Sequence, residues 1–549
     1  MSHQHTPGDH LHGLEADPHR GEEVEFKSPG ERAEPESPAT QRFRLGGMLG
    51  GLLAAGLIYL ILPDDLPPDG KLTAATAVLM GIWWMTEALP IPATALLPLI
   101  IFPVFATDVK VDDVGASYGN NIIFLFMGGF LLALAMQRWN LHRRIALVVV
   151  RMMGTSPAMI IAGFMVATGF ISMWVSNTAT AVMMLPIGVS VLLLVARMGV
   201  DAPGEEGALV RPENDPEGGE GAETLDEAVI RTNFGTALML GIAYAASLGS
   251  LGTIIGTPPN TLLAGYMSDT FGVTIGFGQW MLVGVPLSLV FLVLCWFLLT
   301  KVLFRPEISE LPGGRALLDD EISKLGPTSS GEKRVLVMFI LAAMSWVFIP
   351  LVSEYGLGLN SPFLSDAGIA MVVGVLLFLL PSGAARGVRL LDWDSAVNLP
   401  WGVLLLFGGG LALSAQFGSS GLTKWIGEQV TALGAIPVVV LVLIVATGTL
   451  FLTELTSNTA TAATFLPVAG GIAMGLGIDP LLLAVPVALS ATCAFMLPVA
   501  TPPNAIAFGS GYVTIGQMVK GGFLLNLAGM LLVTATTMTL LVWVFGLTV

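Results

Sequence analysis

SNTATAVMMLP occupies residues 176–186 and SNTATAATFLP occupies residues 457–467, 281 positions later. Each copy sets small hydroxyl and amide side chains inside strongly apolar sequence. Polar groups in such surroundings need partners or a task. Two copies imply an architecture that uses both.

The repetition extends outward from these motifs. FLFMGGFLLALA starts at Phe124 and LLLFGGGLALSA at Leu404, 280 positions on. GTPPN at 256–260 returns as ATPPN at 500–504, only 244 positions on. The shortfall of 37 residues matches a polar insert around 199–228 that the second half lacks. Both halves therefore carry one order: a span, a segment with SNT at mid-length, and a span broken by TPPN.

The rest of the chain sets these motifs in a membrane. Of 549 residues, 54% are hydrophobic and 12% charged. Apolar runs of spanning length recur from Leu45 onward, predicting an all-α polytopic membrane protein. Eleven spans are expected, at 45–62, 72–89, 93–106, 121–136, 233–252, 276–300, 335–351, 367–380, 401–416, 482–497 and 521–545. The net charge of −16 is no guide to partners, because much of the acid lies in two Gly-, Pro- and Glu-rich segments, 1–44 and 199–228. Both read as disordered cytoplasmic segments unable to build a core. Five histidines between His3 and His19 read as part of that tail, and Cys295 and Cys493 as small core residues.

Basic residues orient the spans. Arg42 and Arg44 precede the first, Arg138, Arg143, Arg144 and Arg151 follow the fourth, and Lys333 and Arg334 separate the halves. Placing them all in the cytoplasm satisfies the positive-inside rule. Arg197 and Arg231 then join them only if 158–197 enters and leaves on the cytoplasmic side, as a re-entrant hairpin. By the same count 436–476 is a hairpin entering from outside, and the C-terminus lies outside. The expected organisation is a tail (1–44), a first half (45–300) with the inward hairpin and broken span 233–268, a linker (301–334), and a second half (335–549) with the outward hairpin and broken span 482–515. Inverted repeats with broken helices point to secondary transport, with the site near the midplane.

The motifs supply suitable chemistry. Proline lacks an N–H, clashes with the preceding turn and disfavours helix at the residue before it, so the chain must break near Thr257 and Thr501. Each break frees carbonyls at one helix end and N–H groups at the next. Ser, Asn and Thr are good N-caps, so the hairpin tips offer two further helix starts. Four such starts make an anion site of N–H groups and hydroxyls. No Lys or Arg falls within 169–190, 247–264, 448–468 or 497–510, so co-bound cations are the natural countercharge. Ser172 and Thr453 stand one helical turn before Ser176 and Ser457, and with Asn177 and Asn458 they are hard, neutral oxygen donors suited to Na⁺. Glu87 and Glu454 are the notable intramembrane acids, and Glu454 is open to cation binding, a wet cavity or a helix-end cap.

WWMTEALPIPATALLP at 83–98, with the paired SNTATA and TPPN motifs, resembles the divalent anion–sodium symporter family over nearly all of 45–549. The resemblance implies a homodimeric elevator transporter in the plasma (inner) membrane, with partners limited to a divalent anion, lipid and a second copy. No nucleic acid and no enzymatic activity are expected. It implies substrate contacts from Ser176, Asn177, Thr178, Thr257, Ser457, Asn458, Thr459, Thr501 and Pro502. It implies one Na⁺ site at Ser172, Ser176, Asn177 and the Gly256 carbonyl, and a second at Thr453, Ser457, Asn458 and the Ala500 carbonyl. Intact SNT motifs favour sodium symport of a C4-dicarboxylate such as succinate, malate or fumarate. Alternatives are a sodium-independent dicarboxylate or citrate exchanger, a sodium-coupled sulfate or citrate carrier, and an anion channel.

Overall fold

A computed structural model describes residues 36–154, 156–201, 232–307, 314–359, 362–431 and 436–548. The histidine-rich stretch, and nearly all of the 199–228 insert, lie outside the described residues. Among those described the architecture is helical, with a single isolated bridge, Pro381 to Arg389, in place of any sheet.

In chain order the principal helices of the first half are α1 (Pro38–Ile61), α2 (Pro68–Thr86), α3 (Asn121–Arg138), α4 (Pro157–Ser172), α5 (Asn177–Asp201), α6 (Asn233–Ser250), α7 (Pro258–Phe271) and α8 (Phe277–Phe297). The second half contributes α9 (Ser330–Leu351), α10 (Asp366–Leu379), α11 (Trp401–Ser419), α12 (Val438–Thr453), α13 (Asn458–Leu476), α14 (Leu481–Ala491), α15 (Pro502–Gly509) and α16 (Ile515–Thr536). Among the described residues, seven helical segments are long and apolar enough to cross a membrane. Shorter apolar helices of ten to seventeen residues include α4, α12 and α14.

That division follows from the sequence. α4 and α5 are separated by four residues ending in Ser176, and α12 and α13 by four ending in Ser457. α6 stops at Ser250 and α7 resumes at Pro258; α14 stops at Ala491 and α15 resumes at Pro502. Proline opens both resumed helices, where its missing N–H costs nothing. The expected span 93–106 differs: it is two short helices, Ile91–Thr94 and Pro98–Phe105, with Pro98 opening the second and Pro103 accommodated inside it. An amphipathic helix, Leu141–Met153, precedes the first hairpin and buries Leu141, Ala146, Leu147 and Val150.

Packing joins the halves. α6 is buried along its whole length. Its Tyr244 hydroxyl sits 2.9 Å from the Phe495 carbonyl and 3.2 Å from that of Met518, both in the second half. The repeated glycine-rich stretches meet through Phe126 and Phe407, edge to face at 4.8 Å. Gly249 packs directly on the hairpin arm α4: a Cβ there would lie 2.1 Å from the Gly169 carbonyl oxygen.

Candidate functional site

Both hairpin tips and both helix breaks border one cavity of about 860 Å³. Ser176, Asn177 and Thr178 line it from the first hairpin, and Ser457, Asn458 and Thr459 from the second. Gly256 and Thr257 come from one break, Ala500 and Pro502 from the other. Thr501 is absent from the wall: it is buried, and its hydroxyl accepts the Asn504 N–H at 3.3 Å as the N-cap of α15. Ser172 and Thr453 are fully buried behind the tips.

The two halves repeat one hydrogen-bond pattern. Ser172 Oγ lies 2.6 Å from the Ala246 carbonyl and 3.1 Å from Asn177 Oδ1. Thr453 Oγ1 lies 2.9 Å from the Ala491 carbonyl and 2.7 Å from Asn458 Oδ1. Each hydroxyl therefore ties a hairpin to the helix before the adjoining break. Each also gathers a hydroxyl, an amide oxygen and a carbonyl of neutral charge, a donor set that fits a hard monovalent cation. With Oδ1 engaged by the hydroxyl, the amide NH₂ of each tip asparagine remains to donate elsewhere.

The breaks are held by their own asparagines. Asn260 Nδ2 donates to the Thr253 carbonyl at 2.9 Å, and Asn504 Nδ2 to the Ala494 and Leu497 carbonyls, both at 3.1 Å. Carbonyls freed by the interrupted helices are thus satisfied from the side chain of the TPPN motif. Gly256 is required for close approach, since a Cβ would meet the Ser250 carbonyl oxygen at 2.3 Å. The breaks touch across the repeat, with Thr257 Oγ1 3.3 Å from Thr492 Oγ1.

The halves are not identical. Glu454 is buried, and its carboxylate accepts from the backbone N–H groups of Phe495 (2.8 Å), Met496 (3.0 Å) and Leu497 (3.2 Å) and from Asn526 Nδ2 (2.6 Å). The carboxylate thus gathers the N–H groups of the second break. Met173 holds the corresponding place in the first half, and its carbonyl instead accepts the Thr253 hydroxyl.

The cavity wall also holds residues that sequence reading did not assign to it. Arg44 and Glu87 border the same space as the tips, with Trp84, Gln137 and Asn398. Arg44 contacts Glu36 and lies 3.4 Å from Glu87. Glu87 is legible in the sequence as an acid within an apolar run. Its pairing with a residue 43 positions away was not legible.

Comparison with known proteins gives a consistent result. Residues 48–547 match the family described as the sodium:sulfate symporter transmembrane region. The sodium-dependent dicarboxylate transporter SdcS of Staphylococcus saprophyticus is 42% identical over 506 residues, covering 92% of each chain. SdcS of Staphylococcus aureus strain USA300 is 41% identical over 493 residues, 89% of this chain and 90% of that one. The fold resembles the Alcanivorax borkumensis YdaH transporter, with a TM-score of 0.50 at 14% identity over 86% of this chain and 98% of that one.

Proposed function

The chain belongs to the sodium:sulfate symporter family, and from that premise we propose that it imports C4-dicarboxylates by coupling them to Na⁺. It is a membrane transporter of divalent anions and not an enzyme. Succinate, malate and fumarate are the substrates proposed.

One observation carries the reading: two hairpin tips and two helix breaks surround one cavity, with an oxygen-donor cluster behind each tip. Helix starts and hydroxyls attract the two carboxylates. Those dipoles are too weak to hold a dianion alone, so bound Na⁺ supplies the missing charge. Ser176, Asn177, Thr178, Thr257, Ser457, Asn458, Thr459 and Pro502 are assigned to substrate; Thr501 shapes its site as a cap. Ser172, Ser176, Asn177 and the Gly256 carbonyl are assigned to one Na⁺, and Thr453, Ser457, Asn458 and the Ala500 carbonyl to the other. The shared amides of Asn177 and Asn458, oxygen toward Na⁺ and NH₂ toward the carboxylate, make substrate and cation binding interdependent, which is what coupling requires.

The end of the bundle bearing Arg44, Arg138, Arg143 and Arg144 is assigned to the cytoplasm by its positive charge, with the chain in the plasma membrane. Glu87, at the end of α2 beside Arg44 on the cavity wall, supports a cavity mouth on that side. A homodimer working as an elevator is the proposed mechanism, with the hairpins and broken helices moving together. The hydroxyl ties from each hairpin to α6 and α14 support a unit that moves as one body.

The test is uptake into proteoliposomes of labelled succinate, malate, fumarate, citrate and sulfate, with and without an inward Na⁺ gradient. Na⁺-driven accumulation of a C4-dicarboxylate is expected. Uptake indifferent to Na⁺ but accelerated by internal dicarboxylate identifies an exchanger, and conduction without coupling identifies a channel. Either defeats the proposal.

A further inference from the structure

The cavity that receives the hairpin tips has a single cationic side chain on its wall among the described residues, Arg44, and a single acidic one, Glu87. Neither lies on a hairpin or a break: Arg44 is near the start of α1, and Glu87 follows the last residue of α2. The tips and breaks themselves carry no Lys or Arg. A dianion crossing between water and the tips therefore passes one fixed positive charge.

Arg44 is held by two carboxylates, Glu36 and Glu87. All three side chains are substantially exposed, at 37%, 47% and 60%, so each pairing is weak. Exchanging a side-chain carboxylate for one belonging to the substrate replaces like with like, and the fork of guanidinium donors accepts either. Glu87 is also conformationally marked. It adopts φ 47°, one of three non-glycine residues with positive φ among those described. A non-glycine residue in that region carries strain that the surrounding structure must sustain. Here the strained position sets its carboxylate at the cavity wall, against Arg44.

We propose that Arg44 is an outer contact for the dianion at the cavity mouth, and that Glu87 competes with the substrate for it. Arg44 draws the anion toward the cavity, and Glu87 keeps the contact from becoming a trap. The inference rests on the reading of the chain as a dianion transporter, but it concerns the path and not the inner site. It predicts control of association rate more than of final affinity, and sensitivity to ionic strength, because electrostatic steering fades with screening.

The experiment measures succinate association with the full-length detergent-solubilised protein by stopped-flow tryptophan fluorescence. Na⁺ is held saturating and ionic strength is raised with choline chloride. Arg44→Gln is expected to slow association about three- to tenfold at low ionic strength, with the two rates converging at high salt. Arg44→Lys should recover most of the rate, and Glu87→Gln should exceed wild type at low salt. Sulfate as a second dianion should show the same ordering. Na⁺-dependent thermal stabilisation checks that each variant is folded. A folded Arg44→Gln protein with the wild-type rate and salt dependence overturns the proposal, as does failure of Arg44→Lys to restore the rate. If wild-type protein shows no Na⁺-dependent response to succinate or sulfate, the transport reading itself has failed.

Discussion

Gly249→Ala tests whether the cation cluster behind the first hairpin depends on backbone contact and not only on its ligands. The new methyl would lie 2.1 Å from the Gly169 oxygen and 2.4 Å from the Gly169 Cα. Neither is a movable side chain. Reaching a tolerable separation requires α4 to retreat from α6 by about 1 Å, and overpacking of this kind costs about 1–3 kcal/mol. Gly169 is one turn before Ser172, so the retreat stretches the 2.6 Å bond from Ser172 Oγ to the Ala246 carbonyl. Losing that bond adds about 0.5–1.5 kcal/mol. If about 2 kcal/mol of the total falls on cation binding, Na⁺ affinity drops roughly 30-fold. The expected result is a Na⁺ requirement for succinate uptake shifted by at least tenfold, with reduced Na⁺-dependent thermal stabilisation. Gly50→Ala is the control, since a Cβ there meets nothing within 4 Å. The second half supplies a natural contrast, with Cys493 at the corresponding position. A Gly249→Ala protein with wild-type Na⁺ dependence would refute the claim that this contact positions Ser172.

Asn177→Asp and Asn458→Asp keep an oxygen toward the neighbouring hydroxyl but replace the amide donor with negative charge. Both should abolish dicarboxylate uptake while retaining Na⁺-dependent stabilisation, measured by thermal shift through ligand linkage. Glu454→Leu removes the acceptor from three backbone N–H groups and from Asn526, each about 1–3 kcal/mol when buried and unpaired. The folded yield on size-exclusion chromatography should collapse, whereas Met173→Leu should leave it unchanged. Asn504→Ala strips two carbonyls of their donor and should lower the melting temperature, with a loss of about 2–4 kcal/mol in a reversible assay. Equal melting temperatures for Asn504→Ala and wild type would show that the break holds itself without its asparagine.

Local patterns carried much of the fold. Proline placement announces both breaks, and the matched glycine-rich stretches prefigure the packing of Phe126 against Phe407. The tip residues are legible because their polarity stands out against their neighbours, and most of them share the cavity wall. What was not legible depends on distance along the chain. Glu454 finds its acceptor role from groups 41 to 72 residues away. Arg44 reaches the cavity only because α1 and α2 run side by side, and periodicity does not encode which side chains meet there. Thr501 looks like its counterpart Thr257 in sequence and both are buried, yet the Thr501 hydroxyl caps α15, the Thr257 hydroxyl meets Thr492, and of the two Thr257 borders the cavity. The run at 93–106 is apolar throughout, and hydropathy averages over Pro98, where its helix divides.

Tyr244 bridging to Phe495 and Met518 has a consequence for how the protein is made. The cavity needs Ser176 and Pro502, 326 residues apart, and α6 reaches its partners only after the last third of the chain exists. At about 5–20 residues per second, the ribosome takes tens of seconds to cover that gap. Throughout that interval the first hairpin sits in the translocation machinery or the bilayer with its polar tip and the Tyr244 hydroxyl unmatched. A chain stopped before Phe495 lacks both acceptors that the Tyr244 hydroxyl has in the folded protein and cannot make this joint between the halves.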